Sequence, residues 1–205
     1  MKRSSFVVAG LLAAGLGLSG CGAIPGLGGG WTNLIDGGSG LDNFNRVGAA
    51  NWHAEDGAIV ADNRGIEGYL VTKKAYRDFQ IRAEFWADHS TNSGIFLRAS
   101  NPAKIEATTS YEVNIFDQRP DPVYGTGAVV NVAKVVPMPK AGGRWNFYEV
   151  TARGPQLTVV LNGVQTVSVQ DGKFSQGPIA LQYANGADGK PGGAIKWRKL
   201  EIREL

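Results

Sequence analysis

Two carboxylates, a guanidinium and two carboxamides stand where they could act on a polyol. Glu84, Arg98, Glu112, Asn114 and Gln182 each fall in a short segment that alternates apolar and polar residues, on the side turned away from the apolar ones. In Asp78 to Trp86, Phe79, Ile81, Ala83 and Phe85 point one way, and Gln80, Arg82, Glu84 and Trp86 point the other. In Tyr111 to Phe116, Tyr111, Val113 and Ile115 oppose Glu112, Asn114 and Phe116. Trp86, Phe96 and Phe116 share the polar faces, and Asn92-Ser93-Gly94 lies at their rim. Aromatic rings beside carboxylates and amides suit a sugar, whose C–H faces stack while its hydroxyls hydrogen-bond. The solvated outer face of a sandwich would show the same alternation, so both readings stand.

Other chemistries find little support. The two histidines, His53 and His89, lie in different segments and no Cys/His cluster exists, which disfavours zinc. The glycines punctuate strand-like segments instead of opening a helix, so no phosphate-cradling loop is present, and no nucleophile-elbow sequence accompanies His89. Asp88-His89 reads as a solvated loop or a rim acid/base pair, Trp145 as a core plug or a binding platform, and Gln118 to Asp121 as a loop crossing. The formal charge is +3, acids and bases are interspersed, and no polybasic patch suggests nucleic acid.

The elements that must position these groups are strands. In 205 residues, 29 Gly and 9 Pro favour turns and disfavour long helices. Segments of alternating character recur about every 10 residues from Trp31 onward, as in an all-β sandwich. Strands are expected at 78–86, 93–98, 111–116, 178–182 and 195–203. Asn162-Gly163 between two apolar runs predicts a hairpin, and Asp56-Gly57 a second, weaker one.

The start of the chain reads as an address. Lys2 and Arg3, an apolar run from Phe6 to Leu18 and the small-residue stretch Leu18-Ser19-Gly20 before Cys21 form a lipoprotein signal peptide (1–20). Cys21, the single cysteine, is the expected lipidation site, making the membrane a partner. The residue after it, Gly22, is not Asp, which is consistent with outer-membrane delivery in a Gram-negative host. Residues 21–30 form a Gly-rich tether, and 31–205 a single domain.

Taken in order, Gly30 to Gly37 (GWTNLIDG), Trp52 to Gly57 (WHAEDG), Asn92 to Arg98 (NSGIFLR), Tyr111 to Asp117 (YEVNIFD), Arg144-Trp145-Asn146, Leu161-Asn162-Gly163 and Gly177 to Gln182 (GPIALQ) resemble the 3-keto-disaccharide (3-keto-glycoside) hydrolase family. The resemblance runs from about Gly30 to Leu205. It implies a concanavalin-A-like jelly roll of two antiparallel sheets, one concave and carrying the sugar site. It also implies a chemistry: a ketone at sugar C3 acidifies the C2 proton, a base removes it, an electrophile holds the enolate, and the C1 substituent leaves before water adds. On that basis Glu112 is the expected base or acid and Arg98 the oxyanion partner. Asn114, Gln182 and Glu84 supply sugar contacts or the second proton transfer, with Asn92, Trp86 and Phe96 lining the site. A divalent cation could replace Arg98 as the electrophile. Asn114 stands where the family usually has Gln, and Arg144 where it usually has an acid.

Three functions therefore compete: cleavage of 3-keto-glycosides by an envelope enzyme, non-catalytic carbohydrate binding, and ordinary glycosidase action by paired carboxylates.

Overall fold

The computed structural model describes residues 30–64, 66–187 and 189–205; Cys21, the signal peptide and the tether up to Gly29 lie outside them. Thirteen strands make up the described fold: β1 (Thr32–Asp36), β2 (Phe44–Gly48), β3 (His53–Glu55), β4 (Ala58–Ala61), β5 (Gly68–Tyr76), β6 (Phe79–Ala87), β7 (Asn92–Leu97), β8 (Tyr111–Phe116), β9 (Arg144–Arg153), β10 (Gln156–Leu161), β11 (Val164–Gln170), β12 (Gly177–Tyr183) and β13 (Ile195–Glu204). They form an eight-stranded sheet, β11-β10-β9-β6-β13-β4-β3 with β1 also on β13, and a five-stranded sheet, β2-β5-β12-β7-β8. All strand pairs are antiparallel. The chain is thus an all-β sandwich of the jelly-roll kind.

Alternation places the core. Phe79, Ile81, Ala83 and Phe85 of β6 are essentially inaccessible and pack with Tyr111, Val113 and Ile115 of β8 and Ile179, Leu181 and Tyr183 of β12. Phe85 stacks on Tyr148 at 5.1 Å between ring centroids and tilts against Trp197 at 5.6 Å. Burying such rings between two sheets, at roughly 25 cal/mol per Å² of apolar surface, is the main stabilising term.

The hairpin turns follow local chemistry. Asn162 and Gly163 both take positive φ (51° and 81°), the type I′ geometry that matches the twist of β10 and β11, and Asp56-Gly57 does the same between β3 and β4 (49° and 70°).

A second, smaller apolar cluster sits on the outside of the five-stranded sheet: Tyr69 and Val71 of β5, Phe96 of β7, Ala180 of β12, and Ala99 and Ile105 of the following loop. Residues 99–110 are tied over this face by their own bonds. Ser100 N donates to Thr109 O (2.8 Å), and Ser110 Oγ donates to Glu106 O (2.6 Å).

Candidate functional site

On the outer face of the five-stranded sheet the register builds a polar row. Phe96 opposes Glu112, Gly94 opposes Asn114 and Asn92 opposes Phe116 across β7 and β8. On the other flank of β7, β12 pairs Ala180 with Phe96, so Gln182 comes level with Gly94, and β5 sets Tyr69 beside Gln182. Gly94 is the floor: a Cβ there would lie 3.0 Å from Val113 O and 3.5 Å from Glu112 Cγ, so the missing side chain keeps the middle of the row open.

Two walls flank this floor. One is the 99–110 loop. The other is the segment after β8, where Asn114 Nδ2 donates to Tyr124 O (2.6 Å), Thr126 Oγ1 donates to Asp117 Oδ1 (2.6 Å), and Tyr124 OH donates to Asn131 Oδ1 (3.0 Å). Arg119 lies on that wall, its guanidinium carbon 5.2 Å from the Phe116 ring centroid and 5.7 Å from that of Tyr124.

Glu112 stands where the two hollows of this cleft meet and lines both, as does Gln182. Among the described residues no donor reaches its carboxylate. Burial, reinforced by the Glu67 carboxylate and opposed by Arg119, pushes its pKa up to about 7. Gln182 is the second unusual group. Tyr69 OH donates to Glu67 Oε1 (3.1 Å), so the Tyr69 oxygen accepts from Gln182 Nε2 (3.4 Å). That assigns the amide and leaves Gln182 Oε1 buried with no partner. Burial drives the Tyr69 phenol well above its ordinary pKa and keeps it a donor. The cleft therefore offers a desolvated base, an unsatisfied buried acceptor and a cation at the rim.

The site expected from sequence is assembled only in part. Glu112, Asn114, Gln182, Asn92 and Phe96 do share one face. Asn114 and Asn92 also spend an amide hydrogen on structure, Asn92 Nδ2 donating to Asn185 O at 2.6 Å.

Three assignments are corrected. Arg98 leaves the alternation because its backbone turns left-handed (φ 54°), which swings the side chain into the protein, where it is 0% exposed. There Nε donates to Arg77 O (2.7 Å), Nη1 to Gly154 O (2.7 Å) and Phe174 O (3.1 Å), and Nη2 to Asp78 Oδ1 (3.0 Å). All of its bonds are internal, and it fastens three turns. Glu84 and Trp86 are on β6, in the other sheet, and face outward on the opposite side of the sandwich. Glu84 pairs with Arg198, and the Trp86 ring lies 5.5 Å from Lys196 Nζ. Alternation distinguishes inward from outward but cannot say which sheet's exterior a residue reaches.

Glu67, Tyr69, Arg119 and Tyr124 were missed. The run Gly68-Tyr69-Leu70-Val71-Thr72 carried a β signal, whereas Arg119 sits in a loop whose shape no periodicity reveals. Asp88, read as part of a solvated loop or of a rim acid/base pair, accepts from Ser90 N and Oγ within its own turn (2.9 and 2.7 Å). A divalent cation would find carboxylate and amide oxygens in the cleft. Among the described residues, however, no three His, Cys, Asp or Glu side chains converge to hold one.

With this geometry in view, the profile of the 3-keto-alpha-glucoside-1,2-lyase-like domain matches residues 30–203. The chain belongs to that family. Among solved structures, this lyase-like domain is similar to two candidate glycosyl hydrolases of Parabacteroides distasonis ATCC 8503. The first is 23% identical with a TM-score of 0.70, covering 86% of this chain and 100% of the other; the second is 19% identical with a TM-score of 0.71, covering 86% and 94%. It also resembles the carbohydrate-binding module CBM66 of Bacillus subtilis (14% identity, TM-score 0.54, 85% and 96% covered). At these identities the likeness is one of fold. A search of curated sequences finds no match. Family and fold together give the lyase-like domain a carbohydrate-related, glycoside-acting role.

Proposed function

We propose that the lyase-like domain eliminates the C1 substituent of 3-keto-glycosides, with Glu112 as the base. The observation that carries this reading is Glu112 itself: a carboxylate without a donor, placed at the centre of the cleft, with burial holding its pKa at about 7. Half ionised at neutral pH, it can accept a carbon-bound proton and return one.

Glu112 takes the C2 proton, and the C–H electron pair forms the enolate between C2 and C3. That pair then forms the C1–C2 double bond as the C1–O bond breaks and the C3 ketone returns. The proton on Glu112 passes to the departing oxygen. The products are a 1,2-unsaturated 3-keto sugar, which water can hydrate, and the free aglycone. Arg119 takes the electrophile's part first assigned to Arg98, stabilising the enolate oxygen, and Gln182 Oε1 accepts from a sugar hydroxyl. No step needs a metal ion. In the cell the domain is held at the envelope by a lipid on Cys21.

Incubation of the purified chain with 3-keto-glucosides, with and without EDTA, should release aglycone. Glu112→Gln should lower kcat by roughly 10²–10⁴-fold, the usual contribution of a general base. Intact substrate after long incubation with the unaltered chain would sink the reaction, and equal rates in the variant would sink the role of Glu112.

The buried, unpartnered Gln182 Oε1 also supports a second reading, carbohydrate binding without turnover. In that case titration would give saturable binding that Gln182→Leu abolishes, and no product would form.

A further inference from the structure

The cleft is two hollows, and Glu112, Gln182 and Ala107 line both of them. They differ in size and chemistry. The larger, about 490 Å³, runs over Val47, Tyr69, Phe96 and the loop residues Ala103 and Ile105. Its charged groups already have partners: Glu67 accepts from Tyr69 OH, while Glu106 accepts from Thr108 Oγ1 and pairs with Lys104 at 3.2 Å. Beyond Glu112 and Gln182 at the junction, the greater part of the surface it offers a ligand is apolar.

The smaller hollow, about 240 Å³, contains Asn92, Asn114, Arg119 and Asn131. Arg119 makes no ion pair among the described residues, and one oxygen of Asn92 is uncommitted. This hollow offers polar valences that a ring bearing a ketone and hydroxyls would satisfy.

Resting on the elimination reading above, we infer that the keto sugar occupies the small polar hollow and the leaving group the large apolar one, so that the domain prefers glycosides of apolar, aromatic alcohols over those of a second sugar. The bond to be broken then lies over Glu112, where the hollows meet. The C3 oxygen is turned to Arg119 and the C1 oxygen to Tyr69. Away from the junction, a second sugar in the large hollow would strip water from its hydroxyls with incomplete replacement, because Glu67, Glu106 and Lys104 already have partners and most of the remaining surface is apolar. An aromatic ring loses nothing by the same move.

The test compares methyl, benzyl and glucosyl 3-keto-α-glucosides on the full chain purified in detergent. The methyl and benzyl alkoxides are similar leaving groups, so a difference between them reports the hollow. The benzyl compound should exceed the other two in kcat/KM by at least about 10-fold, the scale of filling an apolar pocket. Ala103 is exposed, and Ala103→Arg there blocks the large hollow without touching the core. It should erase the benzyl advantage over the methyl compound. Arg119→Ala should slow all three alike. Equal kcat/KM for benzyl and methyl, or a glucosyl preference, would overturn the inference while leaving elimination intact. If none of the three is cleaved, the elimination reading fails. The inference is then decided by titrating the same compounds onto Glu112→Gln, where benzyl must still bind tightest and Ala103→Arg must abolish its advantage.

Discussion

Glu112 is costly to the fold, and the cost gives it a measurable signature. Its folded pKa of about 7 exceeds the ordinary 4.5, so the stability it contributes is complete below about pH 4.5 and is lost as pH rises through 7. Glu112→Gln should therefore stabilise the protein at pH 8 by up to ~3 kcal/mol and leave pH 4 stability nearly unchanged, as read from urea denaturation midpoints. The same ionisation sets activity, and kcat/KM for a 3-keto-glucoside should rise along a limb centred near pH 7. Glu67→Gln removes a repelling charge and should move that limb to lower pH. Arg119→Ala removes an attracting one and should move it to higher pH. Arg98→Met takes the guanidinium donors from three carbonyls and leaves Asp78 Oδ1 only the Gly154 N–H among the described residues, and should destabilise by roughly 3 kcal/mol in urea melts, with kcat of the folded protein unchanged.

At the scale of the element, β8 is the most informative segment and was also the most legible one. Strict alternation in Tyr111 to Phe116 puts three residues into the core and Glu112, Asn114 and Phe116 outside, as its period-2 pattern requires. The neighbouring β7 was read one residue beyond its end, to Arg98; the positive φ there is a tertiary effect, stabilised by carbonyls from three distant turns, and leaves no periodic trace. β5 escaped because most of its first five residues are buried on both sides, by core on one and by the second cluster on the other, so no polar face marks it. Gly94 of β7 gives a test of the element itself. Gly94→Ala places a methyl 3.0 Å from Val113 O and against Glu112 in the open floor. It should lower kcat/KM by ~10-fold or more through displacement of Glu112, with the far-ultraviolet circular dichroism unchanged.

Taken whole, the molecule has two outer faces of different kinds. The five-stranded sheet carries the cleft. The eight-stranded sheet carries interlocked pairs, Arg82 with Glu149 at 3.4 Å and Arg198 with Glu84, and the Arg198 guanidinium lies 4.2 Å from the Trp145 ring centroid. Trp31 belongs to that second face, between Arg82 at 4.5 Å and Arg203 at 4.9 Å. It leads directly into β1, which among the described strands pairs with β13 alone. Under the proposed anchoring, Cys21→Ser should move the protein from the membrane to the soluble fraction, with kcat and KM kept within about 2-fold. The mechanical reason lies in how Trp31 is seated. A pull on the leader is borne by β1, β13 and two stacked guanidinium groups, and none of that load passes through the loops that shape the cleft. Under the proposed anchoring and reaction, attachment and catalysis are thus uncoupled, and a leader lengthened or shortened would leave the distance between base and substrate unaltered.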